Sequence, residues 1–228
     1  MEVINGLKLD KYKAKILQPI SILGTEIKRQ EFESANGDVF YSDKKLGLAT
    51  IKFKIELKGN RSEIKTNKSK LLNDIEVCKL DLNDSRVYEG RFIESGDVEV
   101  YNNFEVIEVE GKCAVYNGTL NQQNQKNNGK IVLNLESNVI TPLLISIKGN
   151  GTNISIKSKT FNIFIKELNG IIKIDGKEKT VKNETGTNVY KLVDMFEFPK
   201  TDFSNNFEIN ISGTGNFDTN ISYYERLI

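Results

Sequence analysis

Six carboxylate residues lie close together in the middle of the sequence, and paired carboxylates can carry out acid–base catalysis. They are Glu94, Asp97, Glu99, Glu105, Glu108 and Glu110. A glycosidase needs two carboxylates about 5–10 Å apart, and Glu108 and Glu110 would share one strand face at roughly 7 Å. A solvated strand face is the more ordinary interpretation, because the chain has no Trp on which a cleft could stack a sugar.

Other catalytic arrangements find little support. The chain has no His, which excludes a Ser-His-Asp triad and removes the commonest general base and zinc ligand. A Ser-Lys dyad stays possible, but no Ser-x-x-Lys lies in a suitable strand-to-helix turn. Paired-carboxylate catalysis and a Ser-Lys dyad are the only catalytic chemistries left open, and neither is well supported. We therefore expect a protein that is not an enzyme.

Binding motifs for phosphate and metal are also weak. Gly149-Asn150-Gly151 and Gly213-Thr214-Gly215 lead into no helix and no Gly-Lys-Ser/Thr, so we interpret both as hairpin turns. Asn36-Gly37-Asp38 could hold calcium but does not fit a calcium loop, and a turn is the simpler interpretation. Cys78 and Cys113 cannot complete a four-ligand zinc site and are expected to be reduced core thiols. No metal or cofactor is expected.

Bulk composition excludes further classes. The 32 basic and 31 acidic residues give a net charge of +1, so no electrostatic footprint for nucleic acid is expected. No stretch approaches the roughly 18 apolar residues of a membrane span. The N-terminus lacks the basic and apolar regions of a signal peptide.

The elements that would position these residues are mostly strands. Ile51–Lys58 alternates apolar and charged residues, which predicts a strand with one buried face. Similar runs recur about every ten residues with Gly/Asn turns between them, a pattern typical of β-sandwiches or barrels. Residues 62–75 place Ile64, Leu71, Leu72 and Ile75 on one face of a short amphipathic helix.

A polar stretch divides the chain. Residues 119–129 are rich in Asn and Gln and can bury almost nothing, so we expect a flexible linker there. The predicted domains are residues 1–118 and residues 130–228. Near the end, alternation predicts that one ring of Tyr223-Tyr224 points inward and the other outward.

The order of weak motifs in the first half is distinctive. They are Ile4-Asn5-Gly6, Gln18-Pro19, Asn36-Gly37-Asp38, Leu46-Gly47 before a long strand, an amphipathic helix, and Tyr88-Glu89-Gly90-Arg91. The second half continues with Asn206–Gly213 and a terminal Tyr223-Tyr224-Glu225-Arg226 strand. Together these resemble the phage distal tail (Dit) family over nearly the whole chain. The source could be a phage, a prophage or a phage-tail-like bacteriocin, with a long flexible or a contractile tail.

The resemblance implies a mainly β fold. It would comprise an N-terminal β-sandwich or split-barrel-like domain with one short helix, then a galectin-like C-terminal β-sandwich. It also implies a structural protein of the virion tail tip or baseplate, made in the bacterial host cytoplasm.

The implied partners are other copies of the chain in a homohexameric ring, the tail tube protein, the tail hub protein, and receptor-binding or baseplate proteins. DNA would pass through the ring without specific binding, and no membrane is involved. The candidate subunit contacts lie in the polar segment 34–47: Asn36, Gly37, Asp38, Phe40, Lys44 and Lys45. Two alternatives stay open, an ordinary hairpin for that segment and a carbohydrate-binding module or adhesin for the whole chain.

Overall fold

The computed structural model describes residues 3–25, 27–42, 45–136 and 139–227. The chain is mainly β, as predicted, and forms two compact units. The first unit comprises the residues up to Gly118 together with Leu227, and the second is Thr119–Arg226. No helix among the described residues is long and apolar enough to cross a membrane.

The first unit is built around one antiparallel sheet and one α-helix. Its elements are β1 Val3–Ile4, β2 Leu7–Lys8, a 3-10 helix Leu9–Tyr12, β3 Ala14–Leu23, β4 Ile27–Lys28, β5 Glu31–Glu33, β6 Val39–Tyr41, β7 Lys45–Leu46, β8 Ala49–Lys58, α1 Arg61–Ile75, β9 Cys78–Asp81, β10 Arg86–Glu94, β11 Glu99–Val100 and β12 Phe104–Lys126. The sheet order is β3-β8-β12-β10-β9-β1-β2, with β11 also on β12. The strands β4 to β7 form two separate small sheets.

The core of the first unit follows the alternation in the sequence. Ile51, Phe53, Ile55 and Leu57 of β8 are buried, while the lysines between them face solvent. The predicted amphipathic helix is confirmed as α1, which buries Ile64, Leu71 and Ile75 against this sheet.

The start of α1 is fixed by a capping box. The Asn60 side chain accepts a hydrogen bond from the Glu63 backbone N–H, and the Glu63 side chain accepts one from the Asn60 backbone N–H. These reciprocal bonds satisfy two backbone donors that a helix leaves free at its first turn.

The second unit consists of further antiparallel strands, and it has its own hydrophobic core. Its further elements are β13 Gly129–Asn134, β14 Leu144–Lys157, β15 Asn162–Asp175, β16 Thr180–Asn183, a 3-10 helix Tyr190–Leu192, β17 Val193–Met195 and β18 Asn206–Leu227. The order is β16-β15-β14-β18, and β18 also pairs with β12 and β13, while β17 pairs with β15. Tyr223 is buried and Tyr224 exposed, as alternation predicts.

The two Gly-x-Gly segments are not hairpin turns, and that prediction is wrong. Gly149 and Gly151 lie inside β14, where Gly151 faces Gly215 of β18 and Gly149 faces Gly170 of β15. A Cβ at Gly215 would stand 2.6 Å from the Gly151 Cα. Glycine is therefore used here for close backbone approach in mid-strand, and Ile147 and Ile154, which flank this row in β14, share one core.

The prediction of a flexible linker at residues 119–129 is also wrong. Residues 119–126 form the last part of β12, which pairs with β18, and β13 begins at Gly129. The Asn127 N–H donates to the Phe217 carbonyl oxygen at 2.8 Å, and its side-chain oxygen accepts from the Phe217 N–H at 3.0 Å. The segment buries few side chains because it is held by backbone pairing, which needs no apolar residues.

Candidate assembly surface

The described candidate contact residues lie in a solvent-exposed hairpin, which we call the arm and define as residues 27–46. It connects β3 to β8 and is built from two short antiparallel pairs. Ile27 faces Leu46 in the pair β4–β7, and Phe32 faces Phe40 in the pair β5–β6. None of the arm's described residues is buried.

The tip of the arm is a tight polar turn that contains Asn36, Gly37 and Asp38. The Ser34 side-chain oxygen accepts hydrogen bonds from the backbone N–H groups of Asn36 at 3.3 Å and Asp38 at 3.1 Å. Gly37 has a φ of 84°, a left-handed conformation that glycine adopts without strain. The expected turn is confirmed at these residues. Among the residues that the structure describes, no group of three or more metal-ligating side chains occurs.

The two faces of the arm differ in character. Phe32 and Phe40 are paired across the hairpin, so both rings lie on one face, with 53% and 60% of their surfaces exposed. Val39 and Tyr41 face Glu33 and Glu31, which places these four side chains on the opposite face. The arm therefore presents an apolar, aromatic face and a mixed, acidic face.

The remaining predicted contact residues lie near the base of the arm or outside the described part of it. Lys45 is in β7, where it lies opposite Lys28 of β4 in the antiparallel register. Lys44 lies outside the described residues. Sequence reasoning did not single out Phe32 and Tyr41. The available signal was two short runs with aromatic residues, Glu31–Glu33 and Val39–Tyr41, on either side of a turn, which is typical of a hairpin.

Few interactions within the chain stabilise the conformation of the arm. Two-stranded hairpins are marginally stable alone in water. Full burial of a phenylalanine side chain contributes about 1.5–3 kcal/mol, and the half-exposed rings of Phe32 and Phe40 gain only part of it. The arm's geometry suits contact with another protein surface, which would cover the rings and pair or shield its edges.

The carboxylate cluster of the first unit is an ion-paired strand face. Lys68 of α1 places its Nζ 2.6 Å from Glu94 and 2.8 Å from Glu105. Two further lysines pair across the strands, Lys52 with Glu110 at 2.9 Å and Lys54 with Glu99 at 2.8 Å. These contacts match the solvated-face interpretation.

The electrostatics of this face do not resemble those of a general acid. Hydrogen bonding to Lys54 lowers the pKa of Glu99, whereas a carboxyl that donates protons near neutrality needs a raised pKa. Four of the six carboxylates, those of Glu94, Glu99, Glu105 and Glu110, are thus engaged in ion pairs with lysines.

Both cysteines are free and buried, as expected. Burial raises the pKa of the Cys78 thiol to about 12 and that of Cys113 to about 11. Such thiols stay protonated at neutral pH and are poor nucleophiles.

Comparison with known proteins identifies the fold. No protein-family model matches the sequence, and no curated protein matches it. Among solved structures, the chain is similar to the Dit protein of phage SPP1, described as a paradigm of the hub adsorption apparatus in phages that infect Gram-positive bacteria. The identity is 12% and the TM-score 0.65, over 100% of this chain and 98% of that chain.

A second similarity is to a chain in the phage p2 baseplate in its activated conformation with strontium. Here the identity is 13% and the TM-score 0.50, over 95% of this chain and 92% of that chain. The fold is thus that of structural components of phage tail tips. More particularly, it is the fold of the phage distal tail proteins, and the resemblance noted in the sequence is confirmed at this level.

Proposed function

We propose that the chain is a structural component of a phage or phage-like tail tip, where six copies form a ring. The ring would join the tail tube to the hub and to receptor-binding or baseplate proteins. The arm carries this proposal, because it exposes two paired aromatic rings and leaves more than half of the surface of each uncovered. The full-length similarity to phage tail-tip proteins supports the same role.

The two units would divide the work. The first unit, with its arm, would build the ring and contact the tube and hub. The second unit, a galectin-like sandwich by resemblance, would be the platform to which receptor-binding or baseplate proteins attach. Neither role requires catalysis, which agrees with a carboxylate face engaged in ion pairs.

The near-neutral charge is compatible with passage of DNA. A ring with a strongly basic lumen would retain DNA electrostatically, and the chain carries only one net positive charge. We expect a lumen without a concentration of Lys and Arg.

The test is the mass of the assembled protein. Native mass spectrometry and light scattering of the full chain should give six times the chain mass of 25.8 kDa. Negative-stain images should show rings with sixfold symmetry. A strictly monomeric protein at high concentration that is also absent from purified tail particles would overturn the proposal.

A further inference from the structure

A shallow, largely open cavity of about 710 Å³ lies on the surface of the second unit. It lies between β15 and the segment from the second 3-10 helix to Phe198. Its volume falls within the range of sites that bind small molecules. The lining combines aromatic rings with carboxylate and amide groups.

Two of the rings are held in place. Tyr190 and Phe198 meet edge to face, with centroids 6.2 Å apart and planes at 89°. The Tyr190 hydroxyl donates to the Lys179 carbonyl oxygen, and the Lys179 ammonium lies 5.1 Å from the centroid of Phe198. These contacts make one wall of the cavity preorganised before any ligand arrives.

A third ring is free. Phe196 directly follows β17 and is 94% exposed, although it lines the same cavity. The fold of the second unit gains almost nothing from this ring, since its surface is left in water. Its open faces are available to stack on a ligand.

The polar groups suit hydroxyls better than ions. Asn162 contributes an amide, and Asp194 and Glu197 contribute carboxylates. Lys166 lies 3.6 Å from the Asp194 carboxylate, and Lys200 lies 3.2 Å from that of Glu197. Each carboxylate thus has a counter-charge yet keeps free acceptor positions.

We propose that this cavity binds a neutral carbohydrate. The apolar C–H face of a sugar ring would stack on Phe196, and sugar hydroxyls would donate to Asp194 and Glu197 and bond to the Asn162 amide. A wholly apolar ligand would desolvate the two ion pairs without offering hydrogen bonds to their free acceptor positions, and an anionic ligand would compete with the two carboxylates for Lys166 and Lys200. This inference goes beyond the structural role of the ring and assigns the second unit a ligand of its own.

The experiment uses the full chain and an array of neutral monosaccharides and oligosaccharides, followed by calorimetric titration with the glycan that gives the strongest signal. Phe196→Ala should weaken binding roughly tenfold, because it removes the free stacking surface. Asp194→Asn should weaken it by a smaller factor. Tyr224→Ala is the matched control, an exposed aromatic residue of the same unit outside the cavity, and it should bind as the unaltered chain does.

Three results would overturn the proposal. One is an array on which no neutral glycan binds, and another is a bound glycan whose affinity Phe196→Ala leaves unchanged. The third is capture of another tail protein through Phe196 by a chain that ignores the glycans, which would assign the surface to a protein contact. Native mass spectrometry of the same samples keeps this outcome separate from the hexamer, since a change at Phe196 should leave the oligomer intact.

Discussion

The ring of Phe92 on β10 covers Gly111, the residue directly opposite it on β12. The two are register partners in the antiparallel ladder, and a Cβ built on Gly111 would stand 2.2 Å from Cδ1 of Phe92. Phe92 is itself almost fully buried, with the ring of Phe53 at a centroid distance of 6.2 Å. The glycine therefore provides the space that the aromatic core of the first unit requires.

We predict that Gly111→Ala lowers the free energy of unfolding by about 1–3 kcal/mol, the usual cost of overpacking a filled core. The measurement is urea unfolding followed by circular dichroism. Gly24→Ala is the control, because no atom lies within 4 Å of a Cβ at Gly24, and it should change stability by less than about 0.5 kcal/mol. Equal stabilities for the two variants would contradict this account of Phe92.

A second prediction concerns Lys68, which links α1 to Glu94 and Glu105. Lys68→Met should lower the free energy of unfolding by about 1 kcal/mol, since two carboxylates would lose their shared cation. Lys70→Met on an exposed position of the same helix should have little effect.

The pH dependence of this contact has a definite sign. Burial acts to lower the pKa of Lys68, but hydrogen bonds to Glu105 and Glu94 outweigh it and raise the pKa above its ordinary value. The stabilisation is thus complete below the ordinary lysine pKa of 10.5 and is lost as the pH rises through the higher pKa of the folded chain. A stability difference between the chain and Lys68→Met that persists unchanged above that range would contradict the ion-pair explanation.

Most of the secondary structure could be predicted from two sequence patterns, the alternation of apolar and polar residues in strands and the helical spacing of apolar residues. Ile51–Lys58 and the helix over residues 62–75 each have one continuous apolar face, and burial of such a face decides the element. The polar stretch 119–129 could not be assigned in this way, because a strand whose side chains are mostly exposed has the composition of a linker. Its pairing with β18 depends on a segment roughly a hundred residues away.

The sites were harder to predict than the strands. The predicted contact segment, residues 34–47, overlaps the arm and stays a prediction, and the partnership of Phe32 with Phe40 is visible only once β5 and β6 are paired. The cavity is lined by β15 and by a segment that begins at Tyr190, and no local sequence pattern predicts that these two segments lie side by side. The mid-strand glycines likewise look like turn residues until Gly151 is found opposite Gly215.

A third prediction concerns alkaline pH and Tyr12. Burial raises the pKa of Tyr12 to about 12, and the hydrogen bond that its hydroxyl donates to Asp74 acts in the same direction. Tyr12 therefore contributes stability that is complete below pH 10.0 and is lost as the pH rises towards about 12. Subtracting the absorbance titration of Tyr12→Phe from that of the unaltered chain should give a midpoint near 12, falling to about 10 in urea. A native midpoint near the ordinary value would contradict burial of this hydroxyl.

A fourth prediction concerns the two thiols. In the folded chain Cys78 and Cys113 should not react with a colorimetric disulfide reagent at mildly alkaline pH, because both are buried and their pKa values are raised. Both should react once the chain is unfolded in guanidinium. Rapid reaction of either thiol in the native protein would mean that the core of the first unit opens more readily than its packing indicates.

The last prediction tests the arm as the contact between copies. If six copies form the proposed ring through the arm, Phe40→Ser should dissociate it or shift it to smaller species, because the change removes an exposed ring that a neighbouring copy would cover. The stability of the separated chain should change by less than about 0.5 kcal/mol, since Phe40 contributes nothing to the buried core. Val77→Ser is the matched control, an exposed apolar residue of the same unit outside the arm. Light scattering and native mass spectrometry of the two variants at equal concentration decide the matter: a hexamer that survives Phe40→Ser but is lost with Val77→Ser would move the subunit contact away from the arm.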